Sequence, residues 1–196
     1  MLAKIRSHPH LAYFVAYCTN FLVHGIHITA LGPYIPYISA QTGLVQTEYS
    51  FLFTCRSVAM IAGALLIKWL QTRPSQLVSN HRTMQIAAVF ITIFCILFSS
   101  TTDTVFLALW MLSTAFFYTF IEINTNVCAL MINPIQDMEF FLLILHGLFS
   151  VGGLLGPLLV SIFAEQTYFY IGLLELVIFV YLSRMPSPET IGLRVN

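Results

Sequence analysis

Six apolar runs, each long enough to cross a lipid bilayer, leave this 196-residue chain few ways to fold. They lie near 11–37, 47–70, 82–100, 104–132, 139–164 and 167–184. A helix needs about 20 mainly apolar residues to cross the hydrocarbon core, whereas a barrel strand needs about ten of alternating polarity. These runs are too long for such strands and do not alternate. Turn residues separate them: Gln41-Thr42-Gly43, Thr72-Arg73-Pro74-Ser75, Ser99 to Asp103, Asn133-Pro134 and Glu165-Gln166. The pattern predicts an all-α integral membrane protein: a six-helix domain over 11–184 between cytosolic tails 1–10 and 185–196.

Composition agrees. Hydrophobic residues make up 58% and charged residues 8%, against about 25% charged in soluble domains, so a lipid bilayer is the expected surroundings. A net charge of zero argues against a nucleic-acid partner. Cys18, Cys55, Cys95 and Cys128 fall in apolar stretches without ligand spacing, so neither a disulfide framework nor a zinc site is expected. His8 and His10 in the tail are too few to suggest a metal. The N-terminal stretch lacks a small-residue cleavage pattern and reads as a retained first span.

Basic residues set the expected orientation. Lys4 and Arg6 precede the first span, Lys68, Arg73 and Arg82 cluster around the second connection, and Arg184 and Arg194 follow the last span. The first, third and fifth connections hold Glu48, Asp103 and Glu165 without a base. By the positive-inside rule both termini face the cytosol. The fourth connection, with Asp137 and Glu139, lacks a base, but acids weigh little in that rule.

The costliest feature is a carboxylate at bilayer depth. Glu122 sits in Phe120-Ile121-Glu122-Ile123-Asn124-Thr125-Asn126, where an acid costs roughly 2.5–3.5 kcal/mol on insertion scales. Such groups face partners or water-filled cavities, and mark solute or ion paths. Asn20, His24 and His27 share one face of the first helix at i, i+4 and i+7. They suit a cavity lining, because imidazole binds hydroxyls and exchanges protons near neutral pH; interhelical hydrogen bonds, worth about 0.6 kcal/mol each, are the alternative. Glu122 and Asn126 likewise share a face, with Tyr118 one turn earlier. Arg56 is the strong base well inside a span, and Glu122 is its natural counter-charge if the second and fourth helices meet. Glu175 has no obvious partner; it turns inward, stays protonated or docks against another protein. Tyr168 and Tyr170 fit an interfacial aromatic belt.

An internal repeat aligns Arg56 to Leu65 with His146 to Leu155. A polar residue opens each run and a small pair, Ala62-Gly63 or Gly152-Gly153, follows; Gly152 and Gly156 add GxxxG spacing. Three spans per repeat force the halves into opposite orientation, the 3+3 inverted repeat of secondary transporters.

The stretch Glu122-Ile123-Asn124-Thr125-Asn126, followed by Leu145-His146-Gly147-Leu148-Phe149-Ser150-Val151-Gly152-Gly153, resembles the fourth and fifth spans of major facilitator superfamily sugar transporters. The most similar branch is that of the fucose:proton symporters and the sodium-dependent glucose transporter. Gly32-Pro33 and the Gln-Thr loop after it are similar too. The resemblance implies half of a major facilitator fold, with helices one and four lining the cavity and helices three and six outward. It places solute binding or ion coupling on Glu122 and Asn126, with Asn124, His146, Asn20, His24, His27 and Arg56 as further candidates. The implied coupling ion is a proton or sodium, and no other cofactor is expected. Two elements depart from the family pattern. Thr29 stands where a second acid would fall, and Ile67 replaces the usual Asp in Gly63-Ala64-Leu65-Leu66-Ile67-Lys68.

Two functions follow. The first is a half-size transporter of a sugar or similar small polar solute by symport, in the plasma membrane. One half alone would expose polar groups to lipid, so it needs a second six-helix half, from homodimerisation or a partner chain. The second is a non-transporting structural or regulatory subunit, or truncated product, derived from such a transporter. No nucleophile–base pair, metal cluster or phosphate loop suggests an enzyme.

Overall fold

The computed structural model describes residues 10–72, 79–99, 103–132 and 138–188. They form six α-helices: α1 Leu11–Thr42, α2 Gln46–Gln71, α3 Asn80–Phe98, α4 Thr104–Ile132, α5 Met138–Phe163 and α6 Thr167–Ser183. A single 3-10 turn, Ala164–Gln166, joins the last two, and no strand occurs among the described residues. Lys4, Arg6, His8, Arg73, Asp137 and Arg194, named above, lie outside the described residues, as do the Asn133-Pro134 break and most of both tails.

Among the described residues five stretches are long and apolar enough to cross a membrane, and the fifth, Met138–Ser183, is 46 residues long. One straight helix of that length would span about 70 Å, over twice the hydrocarbon core. The stretch instead turns at Ala164, whose φ of 47° is left-handed. On the way out α5 runs parallel to α1: Phe141 meets Phe14, and Gly156 packs against Ile26 and Ala30. On the way back α6 starts beside Tyr34, whose hydroxyl donates to the Glu165 carbonyl at 2.8 Å. It ends where Tyr13 donates to the Pro186 carbonyl, also at 2.8 Å, so α1 begins and α6 ends at the same end of the bundle.

Local chemistry sets the helix ends. Glu48 accepts from the Val45 N–H at the start of α2, Ser79 from Arg82 at α3 and Asp103 from Phe106 at α4, each satisfying an orphan donor. α1 runs five residues past the expected end at 37. Pro33 and Pro36 lie inside it, and the helix stops only at Gly43, whose φ of 73° ends it with a bond from its N–H to the Ser39 carbonyl. Prolines deprive carbonyls one turn earlier of donors, which membrane helices tolerate where neighbours compensate.

α1 packs on α5, α4 and α6; α2 packs on α4; α3 packs on α4 and α6. The interhelical approach is closest where glycine removes the side chain. A Cβ on Gly152 would collide with the Leu22 carbonyl, and one on Gly25 with the Phe149 carbonyl. Gly63 stands in the same way against the Phe116 carbonyl of α4. The GxxxG pair Gly152 and Gly156 thus seats α5 on α1. Among the described residues, Lys68, Arg82 and Arg184 lie towards the end where α1 begins, with Glu139, whereas Glu48, Asp103 and Glu165 lie at the other. Tyr168 does not join an interfacial belt. It is fully buried, edge-on to Trp110 with ring centroids 4.7 Å apart, because its face of α6 is covered by α1 and α3; Tyr170 remains half-buried.

Glycine positions therefore separate packing from propensity. Gly152→Ala is expected to destabilise the protein by about 1–3 kcal/mol through overpacking. Gly147→Ala, where an added Cβ meets nothing within 4 Å, is expected to be neutral or slightly stabilising. Reversible unfolding in mixed detergent measures both, and equal effects would contradict the α1–α5 contact.

Candidate functional site

The polar face of α1 turns inward. Asn20, His24 and His27 are each 1% exposed, so the spacing places them on one face and the bundle covers it. Asn20 donates its side-chain N–H to Thr125 Oγ1 of α4 at 3.0 Å, and Thr125 donates onward to Met84 Sδ of α3. The His24 ring stacks on Tyr118 of α4, with centroids 4.6 Å apart and planes within 7°, and meets Phe149 of α5 edge-on. His27 lies against the same tyrosine at 4.2 Å, and its Nδ1 is 3.8 Å from Cys95 Sγ of α3. Tyr168 of α6 donates to the His27 carbonyl at 3.4 Å.

Glu175 completes this cluster. It stands at the midpoint of α6, 0% exposed, and accepts a 2.7 Å hydrogen bond from the Tyr118 hydroxyl through Oε1. Of the three alternatives raised by its sequence position, the inward one is observed. Its Oε2, the Asn20 Oδ1 and both ring nitrogens of His24 are buried without a hydrogen-bond partner among the described residues. Unpaired buried polar atoms each cost about 1–3 kcal/mol, so their concentration in one region is unusual for a purely structural core.

The α4 candidates lie apart from it. Asn124 is buried and returns its amide N–H to the Phe120 carbonyl at 2.8 Å. Asn126 does the same to the Glu122 carbonyl at 3.0 Å. The spare capacity of this pair is therefore the Asn126 side-chain oxygen and the Glu122 carboxylate, both on half-buried residues. Among the described residues that carboxylate has neither a hydrogen bond nor an ion pair. His146 is exposed on α5, its ring edge-on to Phe21 at 5.4 Å.

Arg56 does not pair with Glu122, although α2 and α4 do meet. The two helices run parallel with Gly63 level with Phe116 and Thr119, which puts Arg56 level with residues near 109–112. At about 1.5 Å per residue, roughly 15–20 Å of helix axis separates it from Glu122. The half-buried guanidinium instead lies close enough to His24, His27, Tyr118 and Tyr168 to act on them electrostatically.

The structure thus gathers His24, His27 and Arg56 around Tyr118, which holds Glu175, while Asn20 on the same face of α1 bonds to Thr125 further along α4. No bond among the described residues links that group to Glu122, Asn126 or His146. Glu175, Cys95 and Tyr168 were not among the sequence candidates. The available signal was an acid in the middle of an otherwise apolar span. The inner group offers hydrogen-bond and proton exchange, and no set of three or more His, Cys, Asp or Glu placed to hold a metal ion occurs among the described residues.

With this geometry in view, a comparison with protein families finds a match over residues 10–193, to the family described as Major Facilitator Superfamily. No curated protein and no solved structure matches the chain.

The separation of Arg56 from Glu122 sets an expectation for a double-mutant cycle. Arg56→Ala and Glu122→Gln should be additive in stability to within about 0.5 kcal/mol. A coupling well above that would restore the ion pair.

Proposed function

Because the chain belongs to the Major Facilitator Superfamily, we propose that this membrane protein carries a sugar or similar small polar solute as one six-helix half of an alternating-access transporter. The observation that carries this reading is the Glu122–Asn126 pair, a carboxylate and an amide oxygen left without partners among the described residues on a half-buried face of α4. Acceptors at that spacing suit hydroxyl groups, and lipid is a poor surface for them. The natural cover is a second six-helix half.

Helix pairing supports a 3+3 inverted repeat with six crossings. Exchanging α1–α3 with α4–α6 turns the α1·α5 contact into α4·α2 and the α3·α4 contact into α6·α1. The same exchange of helices relates the glycine seat of α5 on α1, Gly152 on the Leu22 carbonyl, to that of α2 on α4, Gly63 on the Phe116 carbonyl, one residue out of the alignment that sets Gly63 on Gly153. Segregation of bases to the end where α1 begins supports cytosolic termini, and solute uptake suits the plasma membrane.

A second reading, a non-transporting subunit, is favoured by one residue. Thr29, where similar sugar transporters carry an acid, returns its hydroxyl to the Gly25 carbonyl at 2.8 Å and packs beneath Gly156. Uptake by reconstituted vesicles separates the two. Wild-type protein should accumulate or exchange a labelled sugar above empty vesicles, and Glu122→Gln should lower the rate by at least about tenfold. Background flux from folded, oligomeric wild-type protein across a panel of sugars would sink the transporter reading.

A further inference from the structure

Behind the solute face lies a carboxyl group for which the Glu122 site has no use. Glu175 is wholly enclosed, one oxygen held by Tyr118 and the other without a partner among the described residues. Tyr118 of α4 bonds to it, and Cys95 of α3 lies close enough to act on it electrostatically. His24 and His27 of α1 lie on the Tyr118 ring, while Tyr168, two turns earlier on α6, and the Arg56 guanidinium of α2 act on that tyrosine. We propose that Glu175, Tyr118, His24 and His27 form a proton-binding site inside the helix bundle, and that its loading is the event coupled to solute movement. Proton binding stands on this geometry alone; the coupling role rests on the transporter reading above.

The chemistry favours a proton over a metal cation. A hard cation takes about six or more oxygens. Here the side-chain oxygens are those of one carboxylate and two phenols, and the remaining neighbours are imidazole, thiol and a guanidinium, which repels cations. A proton needs only one lone pair. In the loaded form Oε2 carries the hydrogen while the Tyr118 hydroxyl donates to Oε1. On release that O–H bond breaks heterolytically and its electron pair stays on the carboxylate. The proton passes to the lone-pair nitrogen of His24, and the imidazolium so formed, beside the Arg56 guanidinium, is a transient carrier that hands it on to solvent. One nitrogen of neutral His24 offers that lone pair while the other keeps its N–H, neither is hydrogen-bonded among the described residues, and the ring lies stacked on the tyrosine that contacts Glu175.

The site also touches the right elements. His24 and His27 sit on the same face of α1 as Asn20, which is bonded to Thr125 of α4. A change of charge at Glu175 is thus felt by α1 and α4 together, the second of which carries Glu122.

Infrared difference spectra of the purified full chain, recorded between pH values at which it stays folded, test the proposal. Wild type should show the carbonyl band of a titrating protonated carboxyl group. Glu175→Gln should lose that band, Glu122→Gln should keep it, and Tyr118→Phe should move its midpoint while leaving the ring stacked on His24. A band that survives in Glu175→Gln, an unmoved midpoint in Tyr118→Phe or a band displaced by added sodium overturns proton binding here. If Glu175→Gln does not fold, the Tyr118→Phe midpoint decides. In vesicles, Glu175→Gln should keep solute exchange but lose accumulation driven by a pH gradient; retained pH-driven accumulation overturns the coupling role. Absent wild-type uptake would remove the transporter reading and leave the infrared result standing.

Discussion

Hydrocarbon supplies no hydrogen bonds, and the whole arrangement follows from where these helices find them instead. Most hydroxyls are spent locally. Thr19, Thr29, Thr54, Thr114 and Thr119 each return their O–H to a carbonyl four residues earlier, which hides them without recruiting another helix. The longer polar side chains cannot fold back so easily, and they decide which helices touch. Asn20 with Thr125, Tyr17 with His81, Tyr118 with Glu175 and His27 with Cys95 all join members of the set α1, α3, α4 and α6. α2 and α5 are held mainly by close backbone approach, and much of their apolar surface remains open.

This division explains what could be read from the residues. Helix positions were legible, because apolar length and turn chemistry act locally. So was the shared face of Asn20, His24 and His27, which needs only helical periodicity. Register between helices was not. Arg56 and Glu122 lie on helices that do pack together, yet the offset set by Gly63 against Phe116 keeps them apart. Nor was the orientation of α6 legible: its sequence is apolar nearly all round, so nothing but Glu175 itself told the inner face from the outer. The burial of Tyr168 was hidden for the same reason. α1 runs past its expected end at 37 because Tyr37 to Thr42 keep helical geometry up to the left-handed Gly43, which closes the helix inside the expected break.

Two polar regions of different character result. The inner one is aromatic and enclosed: Tyr118 bonds the buried Glu175, His24 and His27 lie on that tyrosine, and Tyr168 meets His27 edge-on. The outer one, Glu122 and Asn126, keeps a surface unsatisfied among the described residues, on a helix otherwise rich in Leu, Phe and Ile. α4 belongs to both, since Tyr118 and Glu122 are one turn apart on it. Any shift of that helix changes both environments at once.

The glycine contacts carry a mechanical consequence. Where Gly152 meets Leu22 and Gly63 meets Phe116, backbone rests on backbone, with no side chain to rearrange. Such contacts hold rigidly or fail, so α1 with α5 and α2 with α4 behave as two welded girders. Between the girders run softer joints: a ring stack, one amide-to-hydroxyl bond and the Tyr118–Glu175 tie to α6. Stacked rings slide with little loss, and a single hydrogen bond re-forms after a small displacement. The seam between α1 and α4 is therefore where this bundle yields first, and its polar side chains act as the bearing on which the girders slip.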